Sequence, residues 1–352
     1  MTSRLSHRSL RGLPVALFLL AARPFASDAQ ELLRDNRTSG RVEVLKVTTL
    51  QFQGAAVAPD LETLVIRLPD GRWGAMSKVF GGIVPLFAAD GSPVGTLGHP
   101  GPGPGELENP RAAIGIGKQL WVVDPGNNRL TAFGPDGTPV GDRTLPGQVL
   151  WAQPTMDGGG LLLSGFFPDA SGIRYTTARV TMDEPDDRLG GNAGTSNDAW
   201  VQHHVASETL SGEIWSVAQS GGDIQVLRAD NLGLIAQSHL PEDLSQPERH
   251  AVDLRTERPP PQVYGTMTDS DGTLWIVLSV ADAHWRPQPG VDPRDHVEEV
   301  FDTLILAISP ENRAIVGVER MDPLCLPGVD AFISCTNESA QTIDIFRLKL
   351  GR

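Results

Sequence analysis

Residues 87–95 read FAADGSPVG and residues 133–141 read FGPDGTPVG, so one nine-residue pattern returns after 46 residues. A second motif, a tryptophan that follows an aliphatic residue, occurs at Trp121, Trp215 and Trp275, each time with a glycine a few residues ahead. The first two of these tryptophans are 94 residues apart, close to two such periods. A fixed period of this length is typical of a repeat architecture.

Weaker copies of the tryptophan motif bring the number of repeats to six. They lie at residues 64–66 (LVI), 157–163 (DGGGLLL) and 331–334 (AFIS). Each repeat contains short runs of β-branched, aromatic and aliphatic residues, separated by turn dipeptides such as Asp-Gly. Four short strands in about 45 residues form one blade of a β-propeller. The sequence therefore predicts an all-β fold, a six-bladed β-propeller whose blades are four-stranded antiparallel sheets.

The sixth repeat is one strand short. Residues 330–334 and 342–349 leave it without an outer strand, and residues 41–49 (RVEVLKVTT) form a predicted strand with no partner in the first repeat. Pairing the two would close the ring and cover edges that otherwise invite aggregation. We therefore expect an N-terminal strand to close the propeller. We expect residues 31–38, just ahead of that strand, to be helical or disordered.

The N-terminus has the features of a secretory signal peptide. Basic residues precede an apolar run at residues 13–22, which is too short to span a bilayer, and small residues follow at the positions that predict cleavage before Gln30. We expect a periplasmic or secreted protein. The predicted segments are a removed signal peptide at residues 1–29, an N-terminal lead at residues 30–40 and the propeller at residues 41–352.

The charge of the chain limits its partners. With 29 Lys and Arg against 43 Asp and Glu the net charge is −14, and loss of the four basic and one acidic residues of the leader would leave −17. A field of that sign repels phosphate backbones and anionic lipids and favours cationic or neutral ligands. We expect no nucleic-acid partner, no membrane insertion and a monomer.

One repeat carries a more specific pattern. Residues 103–106 read GPGE, residues 121–124 read WVVD, and Asn127, Arg129 and Phe133 follow. This order resembles the NHL-type six-bladed propellers, which are TolB-like propeller proteins, in an exported bacterial form. The match covers about forty residues, roughly one blade, and the repeats around the later two tryptophans lack the Asn-x-Arg motif. The resemblance implies a ligand-binding or scaffolding module.

Polar residues on the predicted inner strands form a candidate ligand site. His203 and His204 are adjacent where the fourth inner strand begins, and Arg111 and Tyr264 belong to other inner strands. A concave channel with a few converging polar groups is typical of ligand sites. Neighbours on one strand point to opposite faces, so the two histidines are not expected to share one metal ion. The alternatives are a histidine that faces the channel and a histidine that packs between blades.

Three other motifs favour a structural interpretation. Residues 101–106 (GPGPGE) lack the Lys-Ser/Thr of a phosphate loop, so we expect a connection between blades. We expect Asp124 and Arg129 to pair and, with Asn127, to order a turn. Residues 292–299 (DPRDHVEE) hold four acids and one histidine, but lack the glycine of an EF-hand. We expect no cofactor, with calcium or zinc as the alternative.

The two cysteines are Cys325 and Cys335. An exported protein would normally oxidise such a pair. A tight hairpin that turns at residues 327–330 would, however, place Cys325 near Phe332 and leave Cys335 about three residues, roughly 10 Å, out of register. The sequence therefore leaves the bonded and the free state open.

These observations predict a non-enzymatic binding or scaffolding module. Its protein or small-molecule partner would engage the channel mouth and the loops of blades four and five. The alternative is an enzyme on the same fold, of the lactonase, amidating-lyase or quinoprotein-dehydrogenase type, with a metal in or near the central channel. The predicted inner strands offer few polar groups for catalysis, and we assign no catalytic residue.

Overall fold

The computed structural model describes residues 31–37, 39–55, 57–181, 187–191, 203–245, 257–287 and 297–351. These residues form six sheets of antiparallel strands, arranged in a ring as six propeller blades. The predicted all-β, six-bladed architecture is confirmed. No helix in these ranges is long and apolar enough to cross a membrane. The predicted signal peptide lies outside the described residues.

The chain enters the ring along its outer rim. The first three strands are β1 (Glu31–Leu32), β2 (Arg34–Asp35) and β3 (Arg41–Gln51). β1 and β2 add parallel fifth strands to the outer edges of blades four and five. Between them, Leu33 is buried in the apolar cluster that blades four and five share, and Arg37 binds Asp243 through two hydrogen bonds of 2.6 and 2.9 Å. The expected helix or disorder is therefore wrong for residues 31–37, because this segment pairs with two open sheet edges and buries Leu33 between blades. Residue 38 lies outside the described residues.

Each blade runs from an inner strand beside the central channel to an outer strand at the rim. Blade one consists of β4 (Leu64–Arg67), β5 (Trp73–Met76), β6 (Val84–Phe87) and β7 (Pro93–Leu97), with a 3-10 turn at Lys78–Phe80. A short parallel pair follows, β8 (His99–Pro100) and β9 (Glu106–Leu107). Blade two consists of β10 (Ala112–Ile116), β11 (Gln119–Asp124), β12 (Arg129–Phe133) and β13 (Pro139–Thr144).

The third and fourth blades repeat the same order. Blade three consists of β14 (Gln148–Pro154), β15 (Gly160–Pro168), β16 (Arg174–Thr181) and β17 (Arg188–Gly190). Blade four consists of β18 (His204–Glu208), β19 (Glu213–Ala218), β20 (Asp223–Arg228) and β21 (Leu234–His239), followed by a 3-10 turn at Glu242–Leu244.

The last two blades complete the ring. Blade five consists of β22 (Gln262–Thr268), β23 (Leu274–Ala281), β24 (Phe301–Ser309) and β25 (Ala314–Met321), with the helical turn α1 (Val297–Val300) ahead of β24. Blade six consists of β26 (Cys325–Pro327), β27 (Phe332–Asn337), β28 (Thr342–Gly351) and β3.

The ring is closed by the pairing of β3 with β28. The two strands are antiparallel and paired at ten positions of β28. Across the pair, Asp344 accepts a hydrogen bond from the Thr49 hydroxyl (2.6 Å) and forms an ion pair with Lys46 (2.8 Å). β3 is therefore the outer strand of blade six, and the predicted closure by an N-terminal strand is confirmed.

The repeated tryptophans lie on the second strands of their blades. Trp215 and Trp275 are fully buried, whereas Trp121 is only partly buried. In blade one, residues 64–66 were expected to occupy the same position in the repeat as the tryptophan motif, and this prediction is wrong. The turn glycine, Gly71, comes after residues 64–66, so they belong to the inner strand and the second strand begins beyond the turn.

The cysteines lie directly opposite each other on β26 and β27 and form a disulfide bond, with a Cα–Cα distance of 4.2 Å. The expected three-residue offset between them is wrong. The hairpin is centred on Asp330 and not between Gly328 and Val329, and Asp330 and Ala331 both adopt positive φ there (53° and 59°). This longer turn brings Cys335 level with Cys325.

Replacing Trp275 with alanine is expected to lower the free energy of unfolding by about 3–5 kcal/mol. The indole is fully buried, and its Nε1 donates a hydrogen bond to Asp269 (2.9 Å). The same change at the partly buried Trp121 should cost clearly less. Chemical denaturation of both variants makes the comparison, and losses of less than about 1 kcal/mol at both positions would contradict the packing described here.

Deleting residues 41–49 should abolish most of the cooperative unfolding transition, because blade six loses its outer strand and the ring its closure. The matched control is deletion of residues 31–35, which removes only the two short added strands. Thermal unfolding followed by circular dichroism compares the two. If the 41–49 deletion melts at the parent's temperature, closure does not stabilise the ring.

Candidate functional site

The central channel is filled at its middle by the side chain of Trp151, on the inner strand of blade three. A Cβ added to Gly265, on the inner strand of blade five, would lie only 2.9 Å from Cζ2 of this indole and 2.4 Å from Cγ of Pro327 in blade six. Since blades three and five are not neighbours, the indole of Trp151 must reach across the channel. Gln153 also crosses it, donating a hydrogen bond to the Gly328 carbonyl of blade six (2.9 Å). We call Trp151, Gln153, Gly265 and Pro327 the channel plug.

The plug depends on irregularities in two inner strands. The pairing of β14 with β15 shifts between Val149 and Trp151, and that of β22 with β23 shifts between Val263 and Gly265. Such bulges bend a strand and redirect its side chains. Here the bulges directly precede Trp151 and Gly265, which meet in the channel. A cavity of about 20 Å³ remains beside the plug.

The plug separates two mouths, which we call the N-side mouth, where the inner strands begin, and the C-side mouth, where they end. A cavity of about 260 Å³ lies at the C-side mouth. Blades three to six contribute its lining. Its polar lining residues include Gln153, Ser207, Glu208, Thr268, Asp269 and Asp330.

Glu208 is held in place at the C-side cavity. Its carboxylate accepts hydrogen bonds from Nη1 of Arg179 (3.3 Å to each oxygen) and from the backbone N–H of Met156 (3.1 Å). Arg179 also binds Asp157 (2.6 Å). Glu208 and Arg179 are both nearly buried. This network fixes one acid of the cavity by contacts between blades three and four.

Asp269 is fixed from within blade five. Oδ1 accepts hydrogen bonds from the backbone N–H groups of Asp271 (3.0 Å) and Thr273 (2.9 Å), and Oδ2 accepts the hydrogen bond of the Trp275 indole (2.9 Å). Next to it, the hydroxyl oxygen of Thr268 is buried and has no hydrogen-bond partner among the described residues. The cavity therefore combines a preorganised carboxylate with an unsatisfied hydroxyl.

Asp330 lies at the rim of the same cavity, on the hairpin of blade six. Loss of water around the carboxylate raises the pKa of Asp330 above its usual value, although part of the side chain remains exposed. The charge of Arg347 opposes this rise, and the charge of Asp269 adds to it. Asp330 and Asp269 are thus close enough to repel each other, and a cation between them would relieve that repulsion.

The four residues predicted from the sequence lie elsewhere. His204 is buried between blades, its Nδ1 lies 3.1 Å from the Ser216 hydroxyl, and burial lowers the pKa of His204 to about 4. His203 is partly exposed and packs its ring edge against Phe166, with 5.2 Å between ring centroids. His204 thus occupies the inter-blade position that was one of the two alternatives.

Arg111 and Tyr264 also lie towards the N-side mouth. Tyr264 occupies the bulge of β22, where burial raises the pKa of its hydroxyl and a hydrogen bond with Ser279 opposes that rise. The backbone N–H of Arg111 donates to the Val123 carbonyl (2.9 Å). The C-side cavity contains none of the four predicted residues. Their role in ligand binding stays a prediction.

The motif of blade two has a structural role. Asp124 is buried and accepts hydrogen bonds from the backbone N–H groups of Glu108 and Asn109 and from the Asn127 amide. Arg129 donates to three backbone carbonyls of the 101–106 loop. The expected ion pair between Asp124 and Arg129 is not found among the described residues. Both side chains bind the loop and tie it to blade two.

A metal centre was the alternative for the acidic insertion. Residues 292–296 lie outside the described residues. Within the part of the chain that the structure describes, no group of three or more His, Cys, Asp or Glu residues is arranged to hold a metal ion.

No protein-family model matches this sequence, and no curated protein matches it. Solved structures share its fold. A protein of Bacteroides fragilis NCTC 9343 that is named as exported is 11% identical, with a TM-score of 0.55 over 92% of this chain and 98% of that chain. A DUF4221 family member from Bacteroides vulgatus ATCC 8482 is 11% identical, with a TM-score of 0.56 over 90% and 100%. Hydrazine synthase of Kuenenia stuttgartiensis is 11% identical, with a TM-score of 0.50 over 80% and 76%. Likeness at this identity shows the propeller fold alone.

His204 should make the stability of the fold depend on pH. Its pKa of about 4 in the folded protein lies below the ordinary 6.5, so between these values the unfolded chain binds a proton that the folded protein does not. The contribution of His204 to the free energy of unfolding is therefore complete above about pH 6.5. It falls as the pH decreases from there, by about 3 kcal/mol in total. His204→Gln, which can still bind Ser216, should reduce this loss, whereas the exposed His99→Gln should not. Chemical denaturation at about pH 7 and about pH 4.5 makes the measurement, and a parent-like loss in His204→Gln would contradict it.

Proposed function

We propose that this protein is an exported, non-enzymatic binding module whose ligand or partner enters the C-side mouth of the propeller. The observation that carries the proposal is the C-side cavity, about 260 Å³ in volume, where polar side chains from blades three to six converge. A concave site with a few well-placed polar groups is what recognition of a small ligand or an inserted side chain requires. Export rests on the basic and apolar leader of the sequence.

The chemistry of the lining favours a cationic group. Glu208, Asp269 and Asp330 contribute three carboxylates, and the hydrogen bonds to the first two hold them before a ligand arrives. The net charge of −14 adds a long-range field of the same sign. An ammonium or guanidinium group could form charge-assisted hydrogen bonds there. The ligand would then be a small cationic molecule or a basic side chain of a protein partner.

The channel plug supports a binding module over the enzyme alternative. A metal on the channel axis would need the position that Trp151, Gln153, Gly265 and Pro327 fill. Mutual contacts of inner strands from blades three, five and six hold that position. The blade-two loop, tied down by Asp124 and Arg129, also fits the scaffold role that the NHL-type resemblance implies.

Asp330→Asn is the sharpest test of the site. Asparagine tolerates the positive φ of this position, so the change removes the charge and keeps the turn. A short oligolysine peptide should bind the parent in calorimetry, and the variant should bind it about tenfold more weakly, a difference of about 1.4 kcal/mol. An oligoglycine peptide of the same length should not bind.

Asp322→Asn is the matched control, because it changes the net charge equally at an exposed position outside the cavity. Equal weakening in both variants would mean that the peptide responds to overall charge alone. If the His203→Ala, Tyr264→Phe double variant binds the peptide more weakly and Asp330→Asn binds it as the parent does, the site lies at the N-side mouth instead.

A further inference from the structure

Asp302, at the start of β24, is a fully buried carboxylate with one oxygen unsatisfied. Its Oδ2 accepts hydrogen bonds from Nε of Arg320 (2.5 Å) and from the backbone N–H of Ala283 (3.1 Å). Its Oδ1 is also buried, and no described residue donates a hydrogen bond to it. A buried carboxylate oxygen without a donor is costly and needs a physical explanation.

The acidic neighbour of Asp302 is Asp282, which directly follows β23. The next residue, Ala283, donates its backbone N–H to Asp302, so the chain at Asp282 lies beside the buried carboxylate. Burial raises the pKa of Asp302, and the Asp282 carboxyl adds to that rise. The backbone N–H of His284 donates to one oxygen of Asp282 (2.5 Å), so this side chain is itself held in position. Two ionised carboxylates have no proton to share and repel each other, so something positive must lie between them or one of them must be protonated.

One negative charge of the two carboxylates has no positive partner among the described residues. Within that part of the chain, one guanidinium contacts the pair, that of Arg320, and its Nη2 already binds the carbonyl of Ala281. Two carboxylates against one guanidinium leave a charge of −1 at a position from which Asp302 is wholly removed from water. Desolvating an uncompensated charge costs several kcal/mol, which a bound cation would offset.

We propose that Asp282 and Asp302 together bind a divalent cation, which the unsatisfied Oδ1 of Asp302 helps to hold, and that this cation is calcium. The two side chains offer only oxygen atoms as metal ligands. Calcium prefers oxygen ligands, whereas zinc prefers nitrogen and sulfur. Asp282 is partly exposed, so an ion can reach the pair and keep part of its water shell. Two carboxylates completed by water make a weak site, with a Kd of about 10⁻⁴–10⁻³ M, as in extracellular modules.

The position of the pair suggests what the ion does. The backbone N–H of Asp282 donates to the carbonyl of Val300 (2.9 Å), so the pair sits where the 283–299 insertion leaves blade five and returns to it. A cation held by residues from both ends would fasten the base of this insertion. The site lies at the opposite end of blade five from the C-side cavity, so its test is independent of the proposed peptide binding.

The test is terbium luminescence of the full protein together with thermal unfolding. Terbium replaces calcium at oxygen sites, and Trp285, whose backbone N–H donates to the Asp282 carbonyl (3.1 Å), is near enough in the chain to sensitise it. We expect luminescence that millimolar calcium displaces, and a rise of a few degrees in Tm at about 10 mM calcium chloride. Both effects should be lost in Asp282→Asn, which spares the contact between Asp302 and Arg320, and kept in the control Asp322→Asn.

Two outcomes would overturn the proposal. Equal calcium responses in the parent and in Asp282→Asn would place the ion elsewhere. A parent that responds to neither calcium nor terbium would also contradict it. If the stability of that parent falls as the pH rises through the raised pKa of Asp302, and that of Asp282→Asn does not, the pair holds a shared proton instead.

Discussion

Ten paired positions between β3 and β28 join the two ends of the chain and turn six sheets into a ring. Without that pairing, blade six would lack its outer strand and both strands would expose unpaired edges. Closure also fixes how near the inner strands come to one another, because each blade must pack against two neighbours. At this spacing the Trp151 indole and Pro327 both approach Gly265 so closely that they leave no room for a Cβ at residue 265.

The filled channel determines where this propeller can bind a ligand. A continuous channel would offer one site open from both faces, whereas the plug leaves two mouths with different linings. The N-side mouth has His203, Arg111 and Tyr264 near it, and the C-side cavity is lined by carboxylates that hydrogen bonds hold in fixed positions. Rigid carboxylates near one another favour cations, because the repulsion that they suffer alone is relieved on binding.

Most of the architecture could be predicted from the sequence because it repeats. The Asp-Gly turns and the spacing of Trp121, Trp215 and Trp275 were enough for six blades, and the surplus strand at residues 41–49 predicted the closure. The two-residue strands β1 and β2 were missed, since so short a parallel pairing has no periodicity. The register of the disulfide was missed because it depends on two residues of positive φ in one turn.

The C-side cavity was not predicted for a different reason. Asp269 and Asp330 stand in turn segments, where an aspartate is ordinary, and their meeting at one cavity depends on the angle between blades five and six. The plug was equally hidden, since the orientation of Trp151 follows from a bulge and its contacts come from residues more than a hundred positions away. The histidine pair was conspicuous in the sequence, but one of its rings is buried against Ser216.

The most direct measurement is a crystal structure of the protein grown with an alkylammonium salt. The account predicts an indole of Trp151 that fills the channel and lies against Gly265, and the ammonium group bound at the C-side mouth near Asp269 and Asp330. An open channel at Trp151, or an ammonium group bound beside Tyr264 at the N-side mouth instead, would contradict it.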